Sequence, residues 1–264
     1  MGQKIYVCLK QVPDTEARFK LGEDNKSIDL QQVKWVVNPY DEYAIEEAIK
    51  IKSSFADSQI FVLTVGPKER AYEALRTALA MGADEAICID SPSHTNLNPL
   101  DIAKALADTI LAEGPLTDVV TVLAGKVSID QGAGLVPSLL AQLLNLPLAT
   151  MATKISWSQG MATVTRELEG SVMETLEVGL PAMITCNKGL NTPRYPSLPG
   201  IMKAKKKIIK DVTFFVEGAS PFSSWDLSKM ELPPERPQVT LLSGDTQAQV
   251  KELVKKLREE SKVI

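Results

Sequence analysis

The chain has 264 residues, of which 44% are hydrophobic and 23% charged, the balance of a globular protein with room for one large domain or a domain and an appendage. A net charge of −4 gives no electrostatic footprint for nucleic acid, and no apolar stretch is long enough for direct insertion into a membrane. Three widely spaced cysteines, Cys8, Cys88 and Cys186, exclude a disulfide framework and a CxxC metal or redox pair; with no signal-peptide pattern in MGQKIYVCLKQV, the expected location is cytoplasmic.

The first predicted element is a strand at KIYVCLK (4–10), followed by a turn at VPDTE and a small hairpin or irregular excursion up to WVVNPY. Ala44, Ile45, Ala48 and Ile49 recur at helical spacing in 41–52, with Asp41 as a possible N-cap that stabilises by about 1 kcal/mol. IFVLTVG (60–66) is continuously apolar, as a strand buried on both faces is. A helix follows, carried by Ala71, Ala74, Leu75, Ala78 and Leu79 and closed by Gly82. The chain continues with a strand at 86–90, a helix at 99–114, a strand at 119–125 and a glycine-led helix at 132–147. This alternation predicts a parallel α/β sheet with helices on both faces and a ligand crevice at the carboxyl ends of its strands.

Beyond residue 147 the pattern changes. The stretches 148–168 and 171–187 read as consecutive strands of an antiparallel extension, with Ser158-Gln159-Gly160 as a hairpin turn. NTPRYPSLPG (191–200) holds three prolines and a glycine, so it is expected to be neither helix nor strand, yet it carries Tyr195 and Leu198 beside the basic run KAKKKIIK. A stiff, partly apolar loop suits docking to another protein, because proline lowers the entropy lost on binding. Leu198 could equally pack on its own core, and the lysine run could be an ordinary solvated face. A Pro-rich extended arm (219–238), a last strand at 238–244 and a helix at 246–260 are expected to close the chain.

Chemistry borne by the protein is sparse. Neither a dinucleotide fingerprint nor a P-loop is present, and the only histidine, His94, reads as part of an exposed loop, so any redox chemistry must come from a cofactor. AGKVSIDQGAG (124–134) brings Gly125, Lys126, Ser128, Asp130, Gly132, Ala133 and Gly134 between a strand end and a helix start, which suits phosphate as well as it suits a plain strand-to-helix turn. Asn38 and Asp41, beside Pro39 and Tyr40, are expected near the strand end at Val65, a convergence that suggests a site. Arg166, Glu167, Glu169 and Glu174 fit either a half-solvated sheet face or a surface turned to a partner.

VCLKQVPDTE, VVNPYDEYAIEEA, VGPKERAYEALRTALAMGAD, AGKVSID, ETLEVGLPAMIT and, most specifically, LNTPRYPSLPGIMKAKKK together resemble the β subunit of electron-transfer flavoprotein, bacterial type, nearly end to end. The resemblance implies a Rossmann-like domain of the adenine-nucleotide α-hydrolase type over 1–190, a partner-docking segment over 191–210 and, over 211–264, an arm and helix that pack on an α subunit. It implies a non-enzymatic electron carrier of fatty acid oxidation, an obligate heterodimer with FAD held mainly by the α subunit. Its partners would be dehydrogenases of the acyl-CoA dehydrogenase type and an acceptor of the electron-transfer flavoprotein:quinone oxidoreductase type. By the same resemblance an AMP would lie against Cys8, Asn38 to Asp41, Val65 and Gly125 to Gly134; Thr15 would approach the flavin, and Glu167 would guide the flavin domain. Leu198 would insert into a dehydrogenase, with Tyr195, Pro199, Ile201 and Met202 around it. The phosphate-binding turn departs from the family pattern: IDQGAGLVP keeps Asp130 but lacks polar side chains at Gly132, Ala133 and Leu135 and carries Pro137, which weakens the expected hold on AMP. An electron-bifurcating member with a second FAD and a nucleotide-binding regulatory protein of the same fold are the alternatives. A nucleotide pyrophosphatase would need a Ser/Gly-rich loop after the first strand, which VCLKQVPDTE does not provide.

Overall fold

The computed structural model describes residues 2–30, 33–91, 97–117, 120–214, 228–236 and 238–264. His94 and the first half of the Pro-rich arm lie outside them. Two compact units are formed. One comprises 1–20 and 28–227, the other 21–27 and 228–264.

The first unit is built on β1 (Lys4–Cys8). Its residues alternate between two cores: Ile5 and Val7 face one side of the sheet, Tyr6 and Cys8 the other. Short strands β2 (Gln11–Pro13), β3 (Lys20–Leu21), β4 (Ile28–Asp29) and β5 (Trp35–Val37) fill the excursion, and β2 pairs with β5 antiparallel. Helix α1 (Pro39–Ser54) is followed by β6 (Gln59–Val65), α2 (Lys68–Met81), β7 (Glu85–Asp90), α3 (Pro99–Ala112), β8 (Val120–Gly125) and α4 (Leu135–Leu143). Alternate apolar residues of β6 divide the same way, Ile60 and Val62 towards α1 and α2, Phe61 and Leu63 towards α3 and α4. A continuous apolar run is thus a strand with a hydrophobic layer on each face.

β9 (Leu148–Ser158), β10 (Met161–Glu167), β11 (Met173–Gly179) and β12 (Ala182–Cys186) complete most of the sheet. Its order is β11-β10-β9-β12-β8-β1-β6-β7-β13. Pairing is antiparallel only among β9, β10 and β11. The stretch 171–187, expected to extend the antiparallel part throughout, divides: β11 does so, but β12 lies between β9 and β8, parallel to both. All five residues of β12 are buried, whereas β11, at the sheet edge, alternates.

Two further expectations are corrected near the C-terminus. Helix α5 (Leu198–Lys206) takes in the end of the proline-rich loop and most of the lysine run. Ser197 caps it, accepting from the Gly200 N–H, and Pro199 lies in the first turn, where its missing N–H costs no helical bond. Next, β13 (Ile209–Thr213) forms the edge beside β7, with Ile209 buried, although the sequence placed the last strand at 238–244. Residues 238–243 form no strand; Val239 and Leu241 are exposed and, among the described residues, have no ladder partner. In the second unit α6 (Thr246–Glu259) is capped by Asp245, which accepts from the Ala248 N–H. Among the described residues no helix is long and apolar enough to cross a membrane.

Candidate functional site: a cleft at the switch of strand order and a braced helix start

Strand order reverses at β1. The chain steps to β6 and β7 on one side and returns to β8 on the other, so the helices after these strands leave a crevice at their carboxyl ends. A cleft of about 790 Å³, its open mouth included, occupies that place. Cys8, Asn38, Asp41, Val65, Gly125, Ser128, Ala133 and Gly134 line it, as the sequence led us to expect. Pro39, Tyr40, Lys126, Asp130 and Gly132 do not. Lys126 instead lies over the Tyr40 ring, 4.9 Å from its centre, and Asp130 borders the neighbouring cleft.

Sequence reasoning missed Leu9, Lys10, Ile102, Leu106, Val136, Leu140 and Met183 in the lining. Ile102 and Leu106 are four residues apart on α3, Val136 and Leu140 four apart on α4; that spacing was the available signal for two helix faces meeting over the crevice. Met183 gave none, because β12 was expected elsewhere.

Asp41 is not the N-cap of α1. Asn38 occupies that position, and neither side chain caps the helix. The buried Asp41 carboxylate accepts from the Lys10 N–H (2.6 Å) and the Gly125 N–H (2.8 Å), tying the end of β1 to the end of β8. Burial raises its pKa from 3.8 to about 7, against the opposing effect of those hydrogen bonds. Asn38 clamps the turn after β8: its amide donates to the Val127 carbonyl (3.0 Å), and its side-chain oxygen accepts from the Ile129 N–H (3.2 Å). Gly125 has to be glycine, since a Cβ there would stand 2.4 Å from Asp41 Oδ1 and 2.6 Å from the Tyr40 Cβ. Beside this brace Cys8 stays a thiol at neutral pH, burial and the Asp41 carboxylate pushing it up to about 12.

The turn closing the cleft reads as the sequence warned. Helix geometry leaves the first N–H groups of α4, at Leu135 and Val136, without intrahelical acceptors, while Pro137 has none to offer. The Lys10 ammonium reaches this turn, 2.7 Å from Asp130 Oδ2 and 3.0 Å from Gln131 Oε1. The remaining lining is mostly apolar.

A separate surface is built on α5. Arg194 makes a two-pronged contact with Glu46, 2.8 Å on each prong, and Asn191 donates to Glu47 Oε2 (3.0 Å) and the Tyr43 carbonyl (3.0 Å). Glu46 and Glu47 are buried on α1, so the loop is pinned to the core before α5 begins. Gly200 then lies so close to α2 that a Cβ would meet the Ala80 carbonyl at 2.4 Å, and Ala204 is buried one turn on. Arg76 donates to the carbonyls of Ala204 and Lys207, holding the far end. With that face fixed, Leu198 and Met202, four residues apart, point outward, 80% and 60% exposed; Tyr195 is 94% exposed, and Pro199 and Ile201 are exposed too. Leu198 therefore does not pack on its own core. Thr15 and Glu167 join neither site. Thr15 lies in an exposed turn after β2, and Glu167 is exposed at the end of β10, next to an Arg166–Glu174 ion pair at 2.6 Å.

Comparison with known proteins gives the family. A family profile described as "Electron transfer flavoprotein domain" matches residues 26–214. The chain is 39% identical to the electron transfer flavoprotein subunit beta of Bacillus subtilis, over 98% of this chain and 99% of that one. It is 38% identical to the mitochondrial subunit beta of Oryza sativa subsp. japonica, over 99% and 100%, and 34% identical to the subunit beta of Sus scrofa, over 97% of both. The chain belongs to the electron transfer flavoprotein family, among its β subunits.

Proposed function

We propose that this chain is the docking and scaffolding half of a heterodimeric electron carrier, which receives electrons from dehydrogenases of the acyl-CoA dehydrogenase type and delivers them to a quinone oxidoreductase-type acceptor. FAD bound mainly by the α subunit supplies the redox chemistry. The chain's own residues position partners. The observation that carries the reading is the outward face of α5 and the loop before it: Leu198 and Met202 on the helix and Tyr195 ahead of it, all in water, on a backbone locked by the contacts of Glu46, Glu47 and Gly200. An apolar group held rigidly in solvent loses little entropy when a partner covers it. Thr15 and Glu167 are exposed, which supports a role for them facing a second chain. So are Val250, Leu253 and Val254, an exposed apolar stripe on α6 suited to packing against the α subunit.

The cleft fits an adenine nucleotide of structural role, AMP in the first instance. Ile102, Leu106, Val136, Leu140 and Met183 offer apolar walls. Such a ligand holds β1, β6 and β8 to the start of α4 and takes no part in electron transfer.

The test is Leu198→Ala in the heterodimer. Burying one leucine in a partner's pocket is worth about 1.5–3 kcal/mol, a factor of roughly 10–150 in affinity. Electron transfer from a reduced dehydrogenase, followed by stopped flow below saturation, should slow by about tenfold or more with FAD content unchanged. Equal rates for the two proteins would overturn the docking assignment.

A further inference from the structure

The methionines of the chain fall into distinct settings. Met81 and Met183 are buried, one in each core, while Met161, Met173 and Met202 are the exposed ones among the described residues. Met161 and Met173 begin β10 and β11 in the antiparallel part of the sheet. Met202 stands on α5, one helical turn from Leu198 and on the same face. The backbone beneath it is not free to turn. Gly200 packs against the Ala80 carbonyl, Ala204 is buried one turn on, and Arg76 holds the carbonyls of Ala204 and Lys207. The Met202 thioether is therefore kept in water, open to oxidants, while the packed side of the helix does not depend on it.

We infer that Met202 is a reversible oxidation site that governs docking through α5. The oxidant is hydrogen peroxide. The thioether sulfur attacks one peroxide oxygen, the S–O bond forms as the O–O bond breaks, and the departing hydroxide takes the proton of the transferred oxygen and leaves as water. The sulfur is oxidised by two electrons and the peroxide is reduced by two. The product is a sulfoxide, polar where the thioether was apolar, and methionine sulfoxide reductases return it to the thioether. While α5 faces water the new oxygen is hydrated and the fold is undisturbed. Pressed beside Leu198 into an apolar pocket of a partner, it is a buried acceptor without a donor, which weakens association by about fivefold or more. The inference rests on the reading of α5 as a docking face.

Treatment of the purified heterodimer with hydrogen peroxide, stopped with catalase, tests this. Sulfoxides are located by peptide mass spectrometry, and electron transfer from untreated dehydrogenase is followed by stopped flow below saturation. In the wild type Met202 should gain one oxygen, and transfer should slow by about fivefold or more with FAD content unchanged. Methionine sulfoxide reductases should restore the rate. Met202→Leu, a swap of similar volume, should give the same rate before and after peroxide, whereas the double variant Met161→Leu, Met173→Leu should slow on treatment as the wild type does. Full oxidation of Met202 with an unchanged rate would overturn the inference. So would a Met202 that stays reduced while Met161 and Met173 are oxidised, or a Met202→Leu protein that slows on treatment as much as the wild type. Leu198→Ala separates the two readings. If it slows transfer and the Met202 sulfoxide does not, the oxidation site falls and the docking face stands; if neither slows it, both fall.

Discussion

Asp41 shows how much a single buried carboxylate can organise. Its two oxygens join the ends of β1 and β8, and its position on the first turn of α1 fixes that helix over the same point. The desolvation that raises its pKa from 3.8 to about 7 outweighs the two backbone hydrogen bonds that would lower it. Between those two values the folded chain keeps a proton that the unfolded chain releases. The contribution of this group to stability is therefore full below about pH 4 and is lost as pH rises through about 7. Asp41→Asn removes the titration and leaves one N–H facing an amide donor, so the variant is less stable overall but flatter with pH. Urea unfolding of both proteins at pH 5 and pH 8 should show the gap between them narrowing at the higher pH; a gap independent of pH would contradict the account. From the sequence Asp41 looked like a helix cap, because a carboxylate ahead of an amphipathic run has that look. Its true partners are 31 and 84 residues away, a separation that local pattern does not report.

At the level of elements, the regular parts were legible and the contacts between them were not. β1, β6, β7 and β8 were readable from apolar runs, α2 from its spacing and from Gly82, and the hairpin from Ser158-Gln159-Gly160. Helix α5 was obscured by its prolines, which sit at its start rather than inside it. β13 was obscured by lysines: Ile209 alone is buried, and the strand exists because β7 offers it an edge. The α5–α2 contact gives a sharp test. Gly200→Ala would favour helix by about 1 kcal/mol in an open position. Here the added Cβ meets the Ala80 backbone carbonyl at 2.4 Å, which cannot turn aside as a side chain can. Overpacking of about 1–3 kcal/mol should prevail. The variant should melt at lower temperature and dock more weakly on dehydrogenase, with AMP binding unaltered, because the cleft lies at the strand ends and shares no lining residue with α5. A melting temperature equal to or above that of the wild type would show that α5 is not held against α2 as described.

For the whole molecule, the sheet divides the labour. Its strand ends carry a cleft lined by β1, β6 and β8, while the loop and helix after β12 carry a fixed apolar face, and α1 serves both, through Asp41 towards the cleft and through Glu46 and Glu47 towards the loop. Burial pushes the pKa of all three cysteines upward, Cys8 and Cys88 to about 12 and Cys186 well above its usual value, so they stay thiols at neutral pH. The proposed carrier takes its redox group from the α subunit. Acid extraction of the purified heterodimer, with flavin and adenine nucleotide separated and counted against protein, tests that directly. The account predicts one FAD per heterodimer, retained by the α subunit when the chains are separated, and AMP as the nucleotide of the β subunit. Two FAD per heterodimer, or FAD that stays with the β subunit alone, would contradict it.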